Sequence, residues 1–235
     1  LDEAIATYQK SISLKPNYSE VYNDLGVVFQ AQGKCDEAIK AYDKAILLKN
    51  NFAEAFNNKG ALLQELGEFD KATDALNKSI ILKPDYPDAY NNLGLNLQSK
   101  NKFDEAISYL NRSLKIKKKV LGPDHIDLCS GYSNLGQIFY HRGDNLDDAL
   151  ECFGKVIKIL KKVTGEKTLR VADTYELIGN IYKARSVEAF QAVIFDPSKK
   201  DHYKHLLDKS LEYTKKTLSI RTDILGPNDR KTKDA

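Results

Sequence analysis

A motif of 34 residues recurs along this chain, and it constrains the fold more than any other feature of the sequence. Each copy has an aromatic residue, a glycine four positions later, and an alanine further downstream. The glycines of the five copies are Gly26, Gly60, Gly94, Gly136 and Gly179, at steps of 34, 34, 42 and 43 residues. A chain of such short copies favours an array of repeated units over one globular core.

Within a copy, the spacing of apolar residues predicts two amphipathic helices. Apolar side chains recur every three or four positions in residues 19–32 and again in residues 36–49, which is the helical period. Gly33 lies between them and supplies the positive φ that ends the first helix, and Asn101 takes this place in the third copy. Because one helix pair cannot bury its apolar faces alone, the pairs must stack into an all-α, right-handed array.

The residues of this motif resemble the tetratricopeptide repeat (TPR) family. The similarity lies in Tyr-x-x-Leu-Gly-x-x-Phe at residues 22–29, in Ala-x-x-x-Tyr at residues 38–42, and in Pro16 and Pro84 after second helices. It extends over nearly the whole chain. The resemblance implies a right-handed solenoid of antiparallel helix pairs, the TPR superhelix, and a role in protein interaction.

Two types of repeat are predicted within one continuous array. Residues 1–110 are regular 34-residue copies that start with a lone second helix, and residues 111–235 are longer copies. We expect the helix before the first long linker to continue to about Val120. That linker, residues 121–127, is similar to the one in the 42-residue repeats of kinesin light chains. We also expect the chain to be part of a larger polypeptide or assembly.

The last copy contains an insert at about residues 186–205, which is too apolar for a flexible loop. Asp196 followed by Pro197 predicts an N-cap that opens a long final helix. Two interpretations remain open. The first helix of the copy lengthens and folds back on its own array, or an apolar patch forms a docking site for a partner. The residues of this apolar insert are Phe190, Ile194 and Phe195.

Catalytic and metal-binding patterns are missing from the sequence. There is no Gly-rich phosphate loop, no Gly-x-Ser-x-Gly and no spaced set of His and Cys ligands, so no cofactor and no enzymatic activity are predicted. No apolar run is long enough to span a membrane, and no signal peptide is visible. The three scattered cysteines indicate reduced thiols and a cytoplasmic location, with cytoskeletal or ciliary association left open.

Asparagines occur in register on the predicted first helices. TPR first helices line a concave face, so the resemblance implies a ladder of amides there. A ladder of this kind in O-linked sugar transferases binds extended peptide, since an amide offers both a donor and an acceptor. The alternative is that asparagine beside Leu-Gly is simply the ordinary residue of these repeats. The candidate peptide-binding residues are Asn23, Asn57, Asn58, Asn91, Asn92 and Asn134.

Lysines cluster late in the second helices of the longer copies. Residues 1–110 carry 12 Lys+Arg and 16 Asp+Glu, whereas residues 111–235 carry 24 and 17. Helix dipoles explain part of this clustering, and an acidic peptide or the acidic surface of a cytoskeletal polymer would explain the rest. Few aromatics interleave the lysines, which argues against nucleic acid. The predicted basic edge comprises Lys117, Lys118, Lys161, Lys162 and Lys215.

These patterns predict a protein-interaction scaffold that binds other proteins, either in the concave groove or on the basic edge. The alternative is the substrate-selecting arm of an enzyme, such as an O-linked glycosyltransferase, whose catalytic domain lies outside this chain.

Overall fold

The computed structural model describes residues 1–143 and 145–234, and Asp144 and Ala235 lie outside the described residues. Within those ranges the regular elements are twelve α-helices and one 3₁₀-helix, with no strand. The predicted all-α class is therefore confirmed. The helices group into two compact units, Leu1–Val120 and Leu121–Ala235.

The first unit is built from helices of 13 or 14 residues and ends with a longer helix of 19 residues. From the second helix of the chain to the sixth, each helix packs on the next. This order is the solenoid arrangement that the repeats predict. Its helices are α1 (Asp2–Leu14), α2 (Ser19–Ala31), α3 (Cys35–Leu48), α4 (Ala53–Glu65), α5 (Phe69–Leu82), α6 (Pro87–Ser99) and α7 (Phe103–Leu121). The last of these confirms the predicted extension to about residue 120.

Helix ends in this unit follow the local signals of the sequence. Gly33 has a φ of 73°, and the N–H of the next residue donates to the carbonyl of Phe29 at 2.9 Å. Asn101 has a φ of 58°, and the residue after it makes the equivalent bond to Leu97 at 2.9 Å. Both first helices therefore end in the same left-handed turn, as predicted.

Small residues allow the two helices of a pair to approach closely. A Cβ atom added at Gly26 would lie 2.5 Å from Cε1 of Tyr42, and one added at Gly94 would lie 2.8 Å from Cγ of Leu110. Tyr42 is fully buried and also packs with Leu62 of the following repeat. The core is therefore shared between neighbouring repeats, which is why one pair cannot fold alone.

The second unit has longer helices. Its last long pair has helices of 27 and 26 residues, against 13 and 14 for the pair α4 and α5. The described helices of the unit are α8 (Leu128–Arg142), α9 (Leu146–Thr164), α10 (Leu169–Phe195), α11 (Lys200–Leu225) and α12 (Arg230–Lys233), with a 3₁₀-helix at Pro197–Lys199. Among the described residues, no helix has both the length and the apolar character to cross a bilayer.

The insert at residues 186–205 lengthens this last pair. It forms the end of α10, the 3₁₀ turn and the start of α11, so its apolar residues are helical. Asp196 caps the turn as predicted, accepting from the N–H of Ser198 at 3.1 Å. The turn itself is 3₁₀, and α11 begins only at Lys200.

Candidate functional site

The predicted asparagine ladder forms a hydrogen-bonded chain of amides across α2, α4 and α6. Each Nδ2 donates to the Oδ1 of the next member, so all four bonds have the same direction. The longer bonds, within one helix, are 3.5 and 3.3 Å, and those between helices are 3.0 Å each. In order of donation the members are Asn91, Asn92, Asn57, Asn58 and Asn23. The amides are thus connected through one another.

Two adjacent asparagine positions in each repeat explain the order of these bonds. Asn58 and Asn23 are 35 residues apart, one more than the repeat, as are Asn92 and Asn57. Each inter-helix bond therefore joins the second asparagine of one copy to the first asparagine of the copy before it. The bonds link successive first helices directly, in addition to the packing of second helices between them.

Burial divides the ladder into an inner and an outer set. Asn23 is 2% exposed and Asn57 is 5% exposed, so their amides bond only within the protein. Asn58, Asn91 and Asn92 are half-buried and reach the surface. An amide has two N–H donors and two acceptor lone pairs, so one bond in each role leaves Asn58 and Asn92 further capacity.

The sixth ladder residue lies in the second unit. Asn134 is half-buried on α8. The amide chain runs through the five asparagines of the first unit.

Lysines of the predicted basic edge are ion-paired within the protein. Lys117 bonds Asp88 at 2.9 Å with only 17% of its side chain exposed, and Lys162 bonds Asp124 at 2.6 Å. That bond lowers the pKa of the Asp124 carboxyl below its usual range. Lys118 is exposed at the end of α7. Lys161 bonds Glu166 at 2.8 Å and is a third ion-paired lysine, so the positive charge of the expected edge is partly neutralised.

The other two lysines, Lys161 and Lys215, line one cleft of about 370 Å³ in the second unit. Lys161 lies near the end of α9 and Lys215 in the second half of α11, and Tyr175 of α10 also lines the cleft. Sequence reasoning missed Tyr175 and Lys167 as members of this cleft. The signal was present, since Tyr175 is the motif aromatic of its own copy and Lys167 follows the linker glycine.

The apolar insert is the exposed end of the α10 and α11 pair. The ring of Phe190 contacts that of Tyr203 with centroids 5.4 Å apart, yet Phe190 stays half-exposed. Ile194 is exposed, and Phe195 is 89% exposed. Among the described residues, no group of three or more His, Cys, Asp or Glu side chains could hold a metal ion.

Family models of known proteins match this chain over most of its length. The model described as "Tetratricopeptide repeat" matches residues 85–162, a second of that description matches residues 53–86, and the model "TPR repeat" matches residues 1–33 and 28–67. The solved structure of MamA is 30% identical to this chain, covering 68% of this chain and 89% of MamA with a TM-score of 0.57. The chain therefore belongs to the tetratricopeptide repeat family.

Two further solved structures share the fold. YrrB, described as a TPR protein with an unusual peptide-binding site, is 20% identical over 93% of this chain and 94% of its own, with a TM-score of 0.58. BtubC (BKLC) from P. vanneervenii is 17% identical over 97% of this chain and 92% of its own, with a TM-score of 0.75. A search among curated protein sequences found no match.

Proposed function

We propose that this protein is an interaction scaffold that holds an extended peptide of a partner along the first-helix face of α2, α4 and α6. The observation that carries the proposal is the amide chain, whose half-buried members Asn58, Asn91 and Asn92 reach that face in register. The partner is another protein, and the scaffold works in the cytoplasm, where scattered cysteines stay reduced.

Backbone recognition follows from the chemistry of the amide. Asn58 and Asn92 each offer one N–H and one lone pair to a peptide group, which is the complement of a peptide C=O and N–H. Such contacts select extended backbone and leave the side chains of the ligand unread. The bonds to neighbouring amides hold each side chain in place, so less side-chain entropy is lost on binding.

The similar structures support the general role of a protein-interaction scaffold. MamA shares the family, and YrrB is a TPR protein with a peptide-binding site on the same fold. The enzyme-arm alternative has no observation of its own in this chain.

A matched pair of variants tests the ladder. Peptides selected from a phage-displayed random library would be measured against Asn58→Ala and Asn23→Ala by fluorescence anisotropy. Both variants remove the same inter-helix bond, but only Asn58→Ala removes an amide that reaches the surface. We expect Asn58→Ala to weaken binding about two- to tenfold, the equivalent of one hydrogen bond, and Asn23→Ala to weaken it less, because it removes only a bond that holds Asn58 in place. Equal losses in both variants would show that the ladder only holds the helices together.

A further inference from the structure

The cleft of the second unit gathers positive charge around an apolar wall. It lies where the last turn of α9 and the connection after Gly165 meet α10 and α11. Tyr175 and Ile220 form the apolar part of its lining. The ammonium groups come from three different elements: Lys161 on α9, Lys167 in the connection, and Lys215 and Lys216 on α11.

Three of these four lysines have a carboxylate partner. Lys161 bonds Glu166 at 2.8 Å and Lys167 bonds Asp223 at 2.7 Å, while Lys216 bonds Glu212 on its own helix. Lys215 is exposed, and among the described residues no carboxylate pairs with it. The cleft therefore keeps one uncompensated positive charge beside three charges that are partly neutralised.

Glu166 shows that the cleft already accepts a carboxylate. Its side chain is 75% exposed and is held at the rim through Lys161, and this bond lowers the pKa of the Glu166 carboxyl below its usual range. Exposed ion pairs of this kind contribute little to stability, because water screens the two charges. An incoming carboxylate can therefore replace Glu166 at little cost.

We propose that this cleft binds an aspartate- or glutamate-rich segment of a partner protein, whose carboxylates replace Glu166 at Lys161 and engage Lys215. The proposal rests on the scaffold function and adds a second surface to it. It does not depend on the asparagine ladder, which lies in the other unit.

The size and lining of the cleft favour a peptide over a free ion. A volume of about 370 Å³ is much larger than one small anion, and Tyr175 and Ile220, each 8% exposed, form the apolar wall of the cleft. The lysines stand on separate elements and so suit several carboxylates along a chain. The excess of basic residues in 111–235 would also speed the encounter with an acidic segment.

Binding of a labelled peptide of alternating glutamate and serine to the full chain tests the proposal, with the glutamine version as the uncharged comparison. Lys215→Ala should weaken binding about fivefold, because one direct charge contact is lost. Lys204→Ala is the matched control, since this exposed lysine lies on the same helix outside the cleft, and it should change the affinity less than about twofold. Glu166→Gln should strengthen binding about twofold or more, because the competing internal carboxylate is gone.

Each other outcome overturns the proposal in a recognisable way. Equal losses in Lys215→Ala and Lys204→Ala would mean diffuse attraction to a basic surface. Binding of inorganic phosphate without any binding of the peptide would mean a site for a free anion. A weaker or unchanged affinity in Glu166→Gln would contradict the exchange of carboxylates. Peptides selected on the ladder should bind Lys215→Ala as they bind the parent protein, so failure at the cleft is separable from failure of the scaffold function.

Discussion

The 34-residue repeats and the last helix pair use the same motif glycine in different ways. In the first unit, a Cβ atom at Gly60 would lie 2.7 Å from Cγ of Leu76, so the glycine is required by close approach. At Gly179, the nearest atom outside α10 is Cβ of Tyr213 at 3.5 Å, an ordinary contact. The ring of Tyr213 turns aside and stacks on Tyr182 with centroids 5.7 Å apart. A glycine in the motif is thus insufficient evidence of tight packing. The side chain on the facing helix decides whether the two helices are in close contact there.

The two regions also differ in how the helices of a pair are joined. In the first unit, neutral hydroxyls of second helices donate to carbonyls of first helices: Ser79 to Ala53 and Ser113 to Pro87, each at 2.7 Å. In the last pair, a buried arginine adds ion pairs between the helices. Arg221, only 5% exposed, donates to Asp173 at 2.8 Å and to Glu176 at 2.7 Å. The short repeats rely on close contact, and the long pair relies more on charge.

The glycine comparison predicts the largest effect. Gly94→Val places side-chain atoms against Leu110 and the carbonyl of Ala106, which would lie 2.8 and 3.2 Å from the new Cβ. Overpacking of this kind should lower the free energy of unfolding by about 3 kcal/mol. Urea titration followed by circular dichroism measures this loss.

Alanine at both positions sharpens the same comparison. Gly94→Ala should destabilise the protein, whereas Gly179→Ala should raise its stability by about 0.5 to 1 kcal/mol, because alanine is favoured over glycine inside a helix. Equal effects of the two alanine variants would show that the glycines are equivalent after all.

The ion pairs of Arg221 predict the next largest loss of stability. Arg221→Leu removes the cation from Asp173 and Glu176 and also its bond to the carbonyl of Lys231, which holds α12 at 3.0 Å. Both carboxylates are at least 40% exposed and can be hydrated, so we expect a loss of about 2 kcal/mol, less than for a fully buried pair. A Tm unchanged in thermal unfolding would contradict a stabilising role. Arg221→Lys should recover only part of the loss, because lysine cannot reproduce the forked geometry.

Most of the fold could be predicted because its signals are local. Gly33 and Asn101 end helices through their own φ angles, and apolar spacing marks each helix without reference to any other. The insert was harder. Its apolar residues indicated order, but the sequence left open whether the first helix of the copy lengthens or an apolar patch forms a docking site. The structure shows that Phe190 lies in a longer helix, and the docking site stays a prediction.

The sites were predicted as sets of residues, without their partners. Register along the repeat identified the asparagines, but the bond from Asn58 to Asn23 depends on the offset between stacked helices, which no local pattern contains. For the same reason the count of charges missed the pairing of Lys117 with Asp88. The alignment of lysines along one edge and the resemblance of the long repeats to those of kinesin light chains stay predictions.

The hydrogen bonds of the serine hydroxyls predict a smaller loss of stability. Ser79→Ala removes one hydrogen bond to the carbonyl of Ala53 and should cost about 1 kcal/mol. The preceding copy supplies a natural control, since Ala45 occupies the equivalent buried position there. Ala45→Ser should therefore be tolerated if the hydroxyl finds the equivalent carbonyl. Unfolding midpoints of the two single variants and the double variant would show whether the sites act independently.

The smallest expected effect is the loss of stability at acidic pH, which involves one glutamate in each unit. Glu20 in the first unit has a pKa of about 2, mainly because Lys49 donates to it, and Glu212 in the second has a pKa of about 2, mainly through Lys216 and then Lys209. The usual value of 4.5 applies to the unfolded chain, so the unfolded state takes up these protons first as the pH falls.

The stabilisation from both pairs is therefore fully present above pH 4.5 and is lost progressively toward about pH 2. Glu212→Gln should flatten the fall of Tm across this range by only about 1 to 2 °C, because the carboxylate is partly exposed and solvent screens the interaction. Glu188→Gln is the control, since this exposed glutamate of α10 forms no ion pair among the described residues. If Glu188→Gln flattened the curve as much as Glu212→Gln, the acid sensitivity would reflect net charge alone, and the lysine pairs of α11 would contribute nothing specific to the second unit.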